Sequence, residues 1–180
     1  VTVVQDGKAG AVVYVAVAEP TENLKRMVSE LVEVIRLSTG AELELAEQMP
    51  PAEQSTIVIG DCEASRQAGI DATQIPVEGF VVKTARHRIY LVGRSKEYPS
   101  GDANESTTWA VFDFLERFAG VRWYWPAEAG GRSIIETDSL IVPAVHYTDA
   151  PVFQYRQPHP TTIKTPQSIA GIPKAETLRP

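Results

Sequence analysis

Two hydrophobic periods occupy the first forty residues of the chain. Residues 11–18 are apolar throughout, which predicts a strand buried on both faces. After Thr21 the apolar residues recur at intervals of three and four, which predicts a helix with Thr21 as its N-cap and Gly40 just past its end. The apolar face of this helix is formed by Leu24, Met27, Val28, Leu31 and Ile35.

Shorter elements follow in the middle of the chain. Strict alternation in residues 42–46 predicts a strand near a sheet edge, and the apolar run 56–60 predicts a short buried strand. Residues 63–68 are expected to form one helical turn. The runs 79–84 and 88–93 are separated by three residues, which predicts an antiparallel hairpin.

A second long helix is predicted over residues 105–119. Its apolar face comprises Val111, Phe114, Leu115 and Phe118. Trp109 projects instead into the polar stripe, between Asp113 and Glu116. A large aromatic side chain among polar residues predicts that another surface covers it, which is either a later segment of the chain or a partner.

The last third of the chain predicts strands at 120–126, 140–143 and 152–156. Five prolines among residues 158–180 leave no core-forming period. We therefore expect one domain over residues 1–156, and over 157–180 a Pro-rich linker or the start of a following catalytic domain. The order β-α-β-β-β-β-α-β contains a hairpin, so the predicted fold is α+β, with a mixed sheet and both long helices on one face.

Charge and composition narrow the classes of partner. Among 180 residues, 17 Lys and Arg face 23 Asp and Glu, a net charge of −6. This balance disfavours nucleic acid and anionic membrane surfaces as partners. No apolar run is long enough to cross a membrane.

The motifs of nucleotide cradles, zincins and serine hydrolases do not occur, so we expect no cofactor and no metal site in this chain. His87, His146 and His159 are predicted in a hairpin turn, a loop and the tail, where surface histidines are common. Cys62 is the one cysteine, so no internal disulfide forms. A small enzyme that uses Cys62 or a carboxylate pair is a third hypothesis with almost no support, because neighbouring carboxylates disfavour the thiolate.

The aromatic run Trp123-Tyr124-Trp125 beside Arg122 has two interpretations. Exposed aromatic rings next to arginine can stack on sugar rings. Alternatively, the run is an edge strand whose aromatics pack on the second helix or on a neighbouring domain, and this interpretation is favoured because Trp so readily fills interfaces.

Eight segments in order carry a resemblance to a known family: DGK (6–8), STGAEL (38–43), IVIGD (57–61), EGFVVK (78–83), IYLVGR (89–94), WAVFDFLE (109–116), GVRWY (120–124) with Pro126, and PVFQYR (151–156). From Val3 to Arg156 the chain resembles the N-terminal domain of α-glucuronidase-like glycoside hydrolases. It is also similar to the domain that precedes the barrel in β-N-acetylhexosaminidases. One departure is Ser106-Thr107, where the family often has Gly-Thr.

The resemblance implies a zincin-like mixed sheet without the zinc motif, in a non-catalytic domain. It implies that the domain docks on a following (β/α)₈ barrel of the same chain, which supplies the catalytic carboxylates of a secreted or periplasmic bacterial enzyme that degrades polysaccharides. We expect the docking or carbohydrate-facing surface to include Trp109, Arg122, Trp123 and Trp125. The alternative is a free-standing carbohydrate-binding module that uses the run from Trp123 to Trp125 on a polysaccharide or oligosaccharide.

Overall fold

A computed structural model describes residues 1–94, 105–124 and 130–153. Its helices are α1 (Glu22–Thr39), α2 (Glu63–Gln67) and α3 (Glu105–Phe118). Its strands are β1 (Thr2–Gln5), β2 (Lys8–Ala9), β3 (Ala11–Val15), β4 (Leu45–Ala46), β5 (Ser55–Ile59), β6 (Phe80–Ala85), β7 (Arg88–Gly93), β8 (Arg122–Trp123), β9 (Arg132–Ser133), β10 (Leu140–Ile141) and β11 (His146–Asp149).

Six strands form the main sheet, in the order β11-β6-β7-β5-β3-β4. The contacts β4–β3, β3–β5 and β5–β7 are parallel, whereas β6 runs antiparallel to both β7 and β11. The predicted α+β fold with a mixed sheet and a β6–β7 hairpin is therefore confirmed. The predicted edge position of residues 42–46 is confirmed as well, although the strand there is reduced to β4.

Both long helices cover the same face of the sheet, as predicted. The Thr21 Oγ1 accepts a hydrogen bond from the Leu24 amide at 3.3 Å, and Gly40 ends α1 with a left-handed φ of 76°. Side chains of α1 and α3 share one core with the inward-facing residues of the sheet; its largest fully buried members include Phe114, Leu24, Leu31, Ile57 and Leu91. The opposite face has a thinner cover, in which Ile70, Ala72 and Ile75 pack on Val58, Tyr90 and Val92.

The first turn of α3 approaches β7 so closely that only glycine fits at position 93. A Cβ atom on Gly93 would lie 2.2 Å from the Thr107 backbone nitrogen. The Gly93 amide donates to the Thr107 Oγ1 at 3.2 Å. The Ser106-Thr107 pair that departs from the family pattern thus contributes directly to the packing of helix on strand.

Several predictions in the last third of the chain were wrong. His146 lies in strand β11 rather than in a loop, because His146–Asp149 pairs with β6 at the sheet edge. The predicted strand at 152–156 is not present at Val152 and Phe153, and its remaining residues lie outside the described ones. Of the aromatic strand predicted at 120–126, the described residues 120–124 form only β8, paired with β9, and residues 125 and 126 lie outside the described ones. Strand β1, which the sequence did not predict, joins β10 and β2 in a separate sheet.

The predicted boundary at residue 156 and the segment 157–180 lie outside the described residues. Within the described ranges, no helix is both long and apolar enough to cross a membrane.

Candidate functional site

An open groove of about 780 Å³ runs between α3, the β11–β6 edge of the sheet and β8. Aromatic and acidic side chains dominate its lining, and we call it the aromatic–acidic groove. Its aromatic residues are Phe80, Trp109, Phe112, Trp123 and Phe153. Its acidic residues are Glu78, Glu105, Asp113, Glu116 and Asp149.

Three aromatic rings form a continuous chain along the groove. Trp109 and Phe112 are one turn apart on α3, and their ring centroids are 5.7 Å apart. The Phe112 ring meets Trp123 edge-on, at 5.1 Å and an angle of 80°. Trp109 remains 48% exposed at the outer end of this chain. The structure therefore brings together two of the residues predicted from the sequence, and adds Phe112 between them.

Trp123 is the fixed member of the chain. Its indole Nε1 donates to the Glu30 Oε1 at 3.0 Å, and the Arg132 Nη1 donates to the same oxygen at 2.7 Å. Arg132 also donates to the Glu33 Oε1 at 3.0 Å. These hydrogen bonds raise the pKa of Arg132 and lower the pKa of Glu33. Residues of α1 and β9 thus hold the Trp123 ring in place, whereas Trp109 is the half-exposed end of the chain of rings.

A charged cluster of Asp113, Arg117 and Tyr147 joins α3 to β11 on the side of the groove away from Trp123. The Asp113 carboxylate accepts from the Arg117 Nε at 2.7 Å and from the Tyr147 hydroxyl. The Arg117 guanidinium lies 4.8 Å from the centroid of the Tyr147 ring. Burial, and then the hydrogen bond to Asp113, hold the pKa of Tyr147 well above its ordinary value. Arg117 thus neutralises the charge of Asp113, and its Nη2 lies 3.8 Å from the Asp149 Oδ2.

Two other carboxylates of the groove are not compensated in this way. Within the described ranges, Glu105 and Glu116 make no ion pair and no side-chain hydrogen bond, and both are exposed. The groove is therefore a negatively charged surface with an apolar aromatic floor. Such a surface can accept hydrogen bonds and pack against flat apolar groups.

The other two predicted site residues are not seen to line the groove. The exposed Arg122 turns back to the end of α3, where its Nη1 donates at 2.7 Å to the carbonyl oxygens of Glu116 and Val121. It therefore satisfies free carbonyls near a helix C-terminus. Tyr124 is 67% exposed, and Trp125 lies outside the described residues. Cys62 is half-buried at the N-terminus of α2.

The sequence analysis missed Phe112, Tyr147 and the cluster around Asp113. Phe112 was not placed on the apolar face of the second helix, and Tyr147 stands in a polar stretch without strand periodicity. The one available signal was the spacing of Trp109, Asp113 and Glu116 along the helix. In the structure all three line the groove. The described residues contain no group of three or more His, Cys, Asp or Glu side chains placed to hold a metal ion.

Comparison with known proteins gives a fold but no family. No family model matches the chain, and no curated protein matches it. Among solved structures, the chain is similar to a family GH115 4-O-methyl-α-glucuronidase described as specific for decorated arabinogalactans. The TM-score is 0.58 at 15% identity, and the match covers 84% of this chain and 18% of that one. The chain thus spans less than a fifth of the length of that enzyme, and the resemblance to α-glucuronidase-like hydrolases is confirmed for the fold.

Proposed function

We propose that this chain is the non-catalytic N-terminal accessory domain of a larger, α-glucuronidase-like enzyme that degrades polysaccharides. The fold is one that a solved α-glucuronidase contains, and it accounts for 18% of that enzyme's chain. The partner in this proposal is a (β/α)₈ barrel that follows in the same polypeptide, and the enzyme is a secreted or periplasmic bacterial hydrolase. In that arrangement the barrel holds the acid and base carboxylates, and this domain supports it.

The aromatic–acidic groove is the docking surface in this proposal. The observation that carries it is the half-exposed Trp109 on a chain of rings anchored by Trp123. Tryptophan of this kind, surrounded by polar residues, is typical of interface hot spots. Phe153, the last described residue, also lines the groove, so the polypeptide continues from this surface. A domain tethered there has a high effective concentration at the groove.

Calorimetry of the parent enzyme tests the docking. Docked domains are expected to unfold together, and Trp109→Ala should remove about 2 kcal/mol or more of docking energy and separate the unfolding transition into two. The matched control is Leu45→Ala, which truncates a side chain that is 54% exposed on β4, at the far edge of the sheet from β11. The control should leave the transition unchanged. Identical thermograms for the two variants would refute docking through Trp109.

The absence of catalysis in this chain is tested separately. The purified 180-residue chain is expected to hydrolyse no aryl glycoside. Turnover that a single point substitution in the chain abolishes would overturn the accessory assignment. Contaminating activity would persist in that substituted protein.

The second candidate is a free-standing carbohydrate-binding module. An exposed indole ring beside the free carboxylates of Glu105 and Glu116 can stack on a sugar ring and accept hydrogen bonds from its hydroxyl groups. Affinity electrophoresis in gels that contain arabinogalactan distinguishes the candidates. Retention that is lost on Trp109→Ala and kept on Leu45→Ala favours the module. Unretarded migration in arabinogalactan and in other polysaccharides favours the docking domain.

A further inference from the structure

A second cavity, of about 310 Å³, lies on the face of the sheet opposite to the long helices. It is placed at the turn of the β6–β7 hairpin, between that turn and α2, and we call it the hairpin pocket. Its polar lining consists of Arg86, Arg88, Tyr90 and Gln67, and its apolar walls are Ala52, Ala64, Ala68 and Ala85. Small apolar walls with a few convergent polar groups are typical of sites for small molecules.

Arg88, which lines this pocket, carries an unsatisfied hydrogen-bond donor. Its Nη2 donates to the Pro50 carbonyl oxygen at 3.0 Å, which fixes the position of the guanidinium. Its Nε is buried and has no hydrogen-bond partner. In the part of the chain that the structure describes, no other side-chain nitrogen or oxygen is buried without one. Burial of an unpaired donor on a charged group is costly, so the position calls for an acceptor.

Two further donors line the same pocket. Tyr90 is only 4% exposed, and within the described ranges its hydroxyl makes no hydrogen bond. Arg86 forms no ion pair with any described residue. No carboxylate lines the pocket, and the amide of Gln67 is already bonded to the Glu63 Oε1 at 3.1 Å. Two arginines therefore line a cavity whose lining contains no carboxylate, in a chain whose net charge is −6.

We propose that the hairpin pocket binds the carboxylate of a small organic acid. The Arg88 guanidinium and the Tyr90 hydroxyl donate to the carboxylate oxygens, and Arg86 supplies a second positive charge at the mouth. The four alanines contact the compact apolar body of the acid. Inorganic phosphate has no apolar group to place against these alanines, so a carboxylate on an apolar body suits the lining better. This proposal is independent of the docking role of the groove.

Benzoate and benzamide are suitable probes, since they share a ring and differ in the charge of one planar group. Binding to the 180-residue chain is measured at low salt by the ¹H–¹⁵N NMR signal of the Arg88 Nε. Benzoate should shift this signal with a Kd of about 1 mM or tighter. Benzamide and inorganic phosphate should each bind at least about tenfold more weakly. Equal binding of benzamide, or tighter binding of phosphate, would overturn the carboxylate assignment.

Two variants connect the affinity to the named donors. Tyr90→Phe removes a hydroxyl group that makes no hydrogen bond in the fold, so the fold is retained. Arg86→Gln removes one positive charge from the pocket. Each should weaken benzoate binding about tenfold or more. The control Arg26→Gln makes the same charge change on an exposed position of α1, outside the pocket, and should leave the affinity unchanged. If the two variants bind benzoate as tightly as the unaltered chain, the proposal fails.

Discussion

The two faces of the main sheet differ in how they are covered and in the charge of their open sites. Two long helices and a continuous core cover one face, and the groove at its edge presents hydrogen-bond acceptors on aromatic rings. A five-residue helix and a loop cover the other face, and its pocket is lined by two arginines and no carboxylate. The two open sites therefore differ in the sign of their charge, a difference that a net charge of −6 does not reveal.

The largest expected difference between the faces is in stability. Phe114→Ala removes a fully buried ring from the helix-covered face, and we expect a loss of about 4 kcal/mol. Ile70→Ala on the other face should cost about 2 kcal/mol, because the loop that carries Ile70 can relax into the space. Urea unfolding measures both free energies. If the costs are equal, the two covers are equally rigid and this part of the comparison fails.

A smaller effect is expected where the groove is anchored to α1. Glu30→Ala leaves the Trp123 indole without its acceptor and Arg132 with one carboxylate, at a cost of about 2 kcal/mol. Glu33→Ala removes a carboxylate that is 47% exposed and should cost less than about 1 kcal/mol. Thermal unfolding, with the emission of the tryptophans as the probe, separates the two. A larger loss in Glu33→Ala would show that Glu30 is not the anchor.

The cluster of Asp113, Arg117 and Tyr147 predicts that the stability of the fold decreases at alkaline pH. The folded state raises the pKa of Tyr147 above the ordinary value of 10.0, so the unfolded chain releases the proton first. Stability from this group is complete below pH 10 and falls as the pH rises towards the folded-state pKa. Tyr147→Phe should cost about 1 kcal/mol at neutral pH, through the hydrogen bond to Asp113, and should reduce the alkaline loss.

Urea midpoints at pH 7, 10 and 11.5 measure this dependence. Asp113→Asn is the companion variant, since it keeps the shape of the partner and removes its charge. A Tyr147→Phe protein with an undiminished alkaline loss would assign that loss to other groups that titrate in this range, the lysines included.

The smallest effect on stability is expected at the hairpin pocket. Arg86 has a φ of 54°, in the left-handed region that favours glycine. Arg86→Gly relieves roughly 1 kcal/mol of backbone strain but adds a similar entropy to the unfolded chain. The stability should therefore stay within about 0.5 kcal/mol, while benzoate binding weakens. A stable Arg86→Gly protein that binds benzoate with unaltered affinity would show that Arg86 does not contribute to binding.

The sequence predicted those elements whose physical cause is local. Helix α1 has a strong amphipathic period, a Thr21 cap and a Gly40 end, and the β6–β7 hairpin has two apolar runs with a short turn. The strands that were missed depend on distant partners. His146–Asp149 is polar and partly exposed, and it is a strand because β6 offers it a free edge.

The site was partly predictable for the same reason. Trp109 was placed correctly beside Asp113 and Glu116 because helical spacing determines which side chains are neighbours. The partners of Trp123 and Asp113 come from α1 and β11, at sequence separations of 93 and 34 residues, and no local pattern encodes them. The hairpin pocket was missed entirely, since its arginines looked like ordinary turn residues.

The pairing of β1 with β10 has a consequence for synthesis of the protein. Val3 and Val4 are fully buried in strand β1. The strand that pairs with them is made much later, because Thr2 pairs with residue 141 and Val4 with residue 140. A ribosome that adds about 5–20 residues per second needs about 7 to 28 seconds to supply that partner. During this interval the first strand lacks one neighbour, and chaperones have time to act on it. Nascent chains arrested before residue 140 should be cut by protease within the first ten residues. Protection there at such lengths would show that β2 and the core suffice to hold the strand.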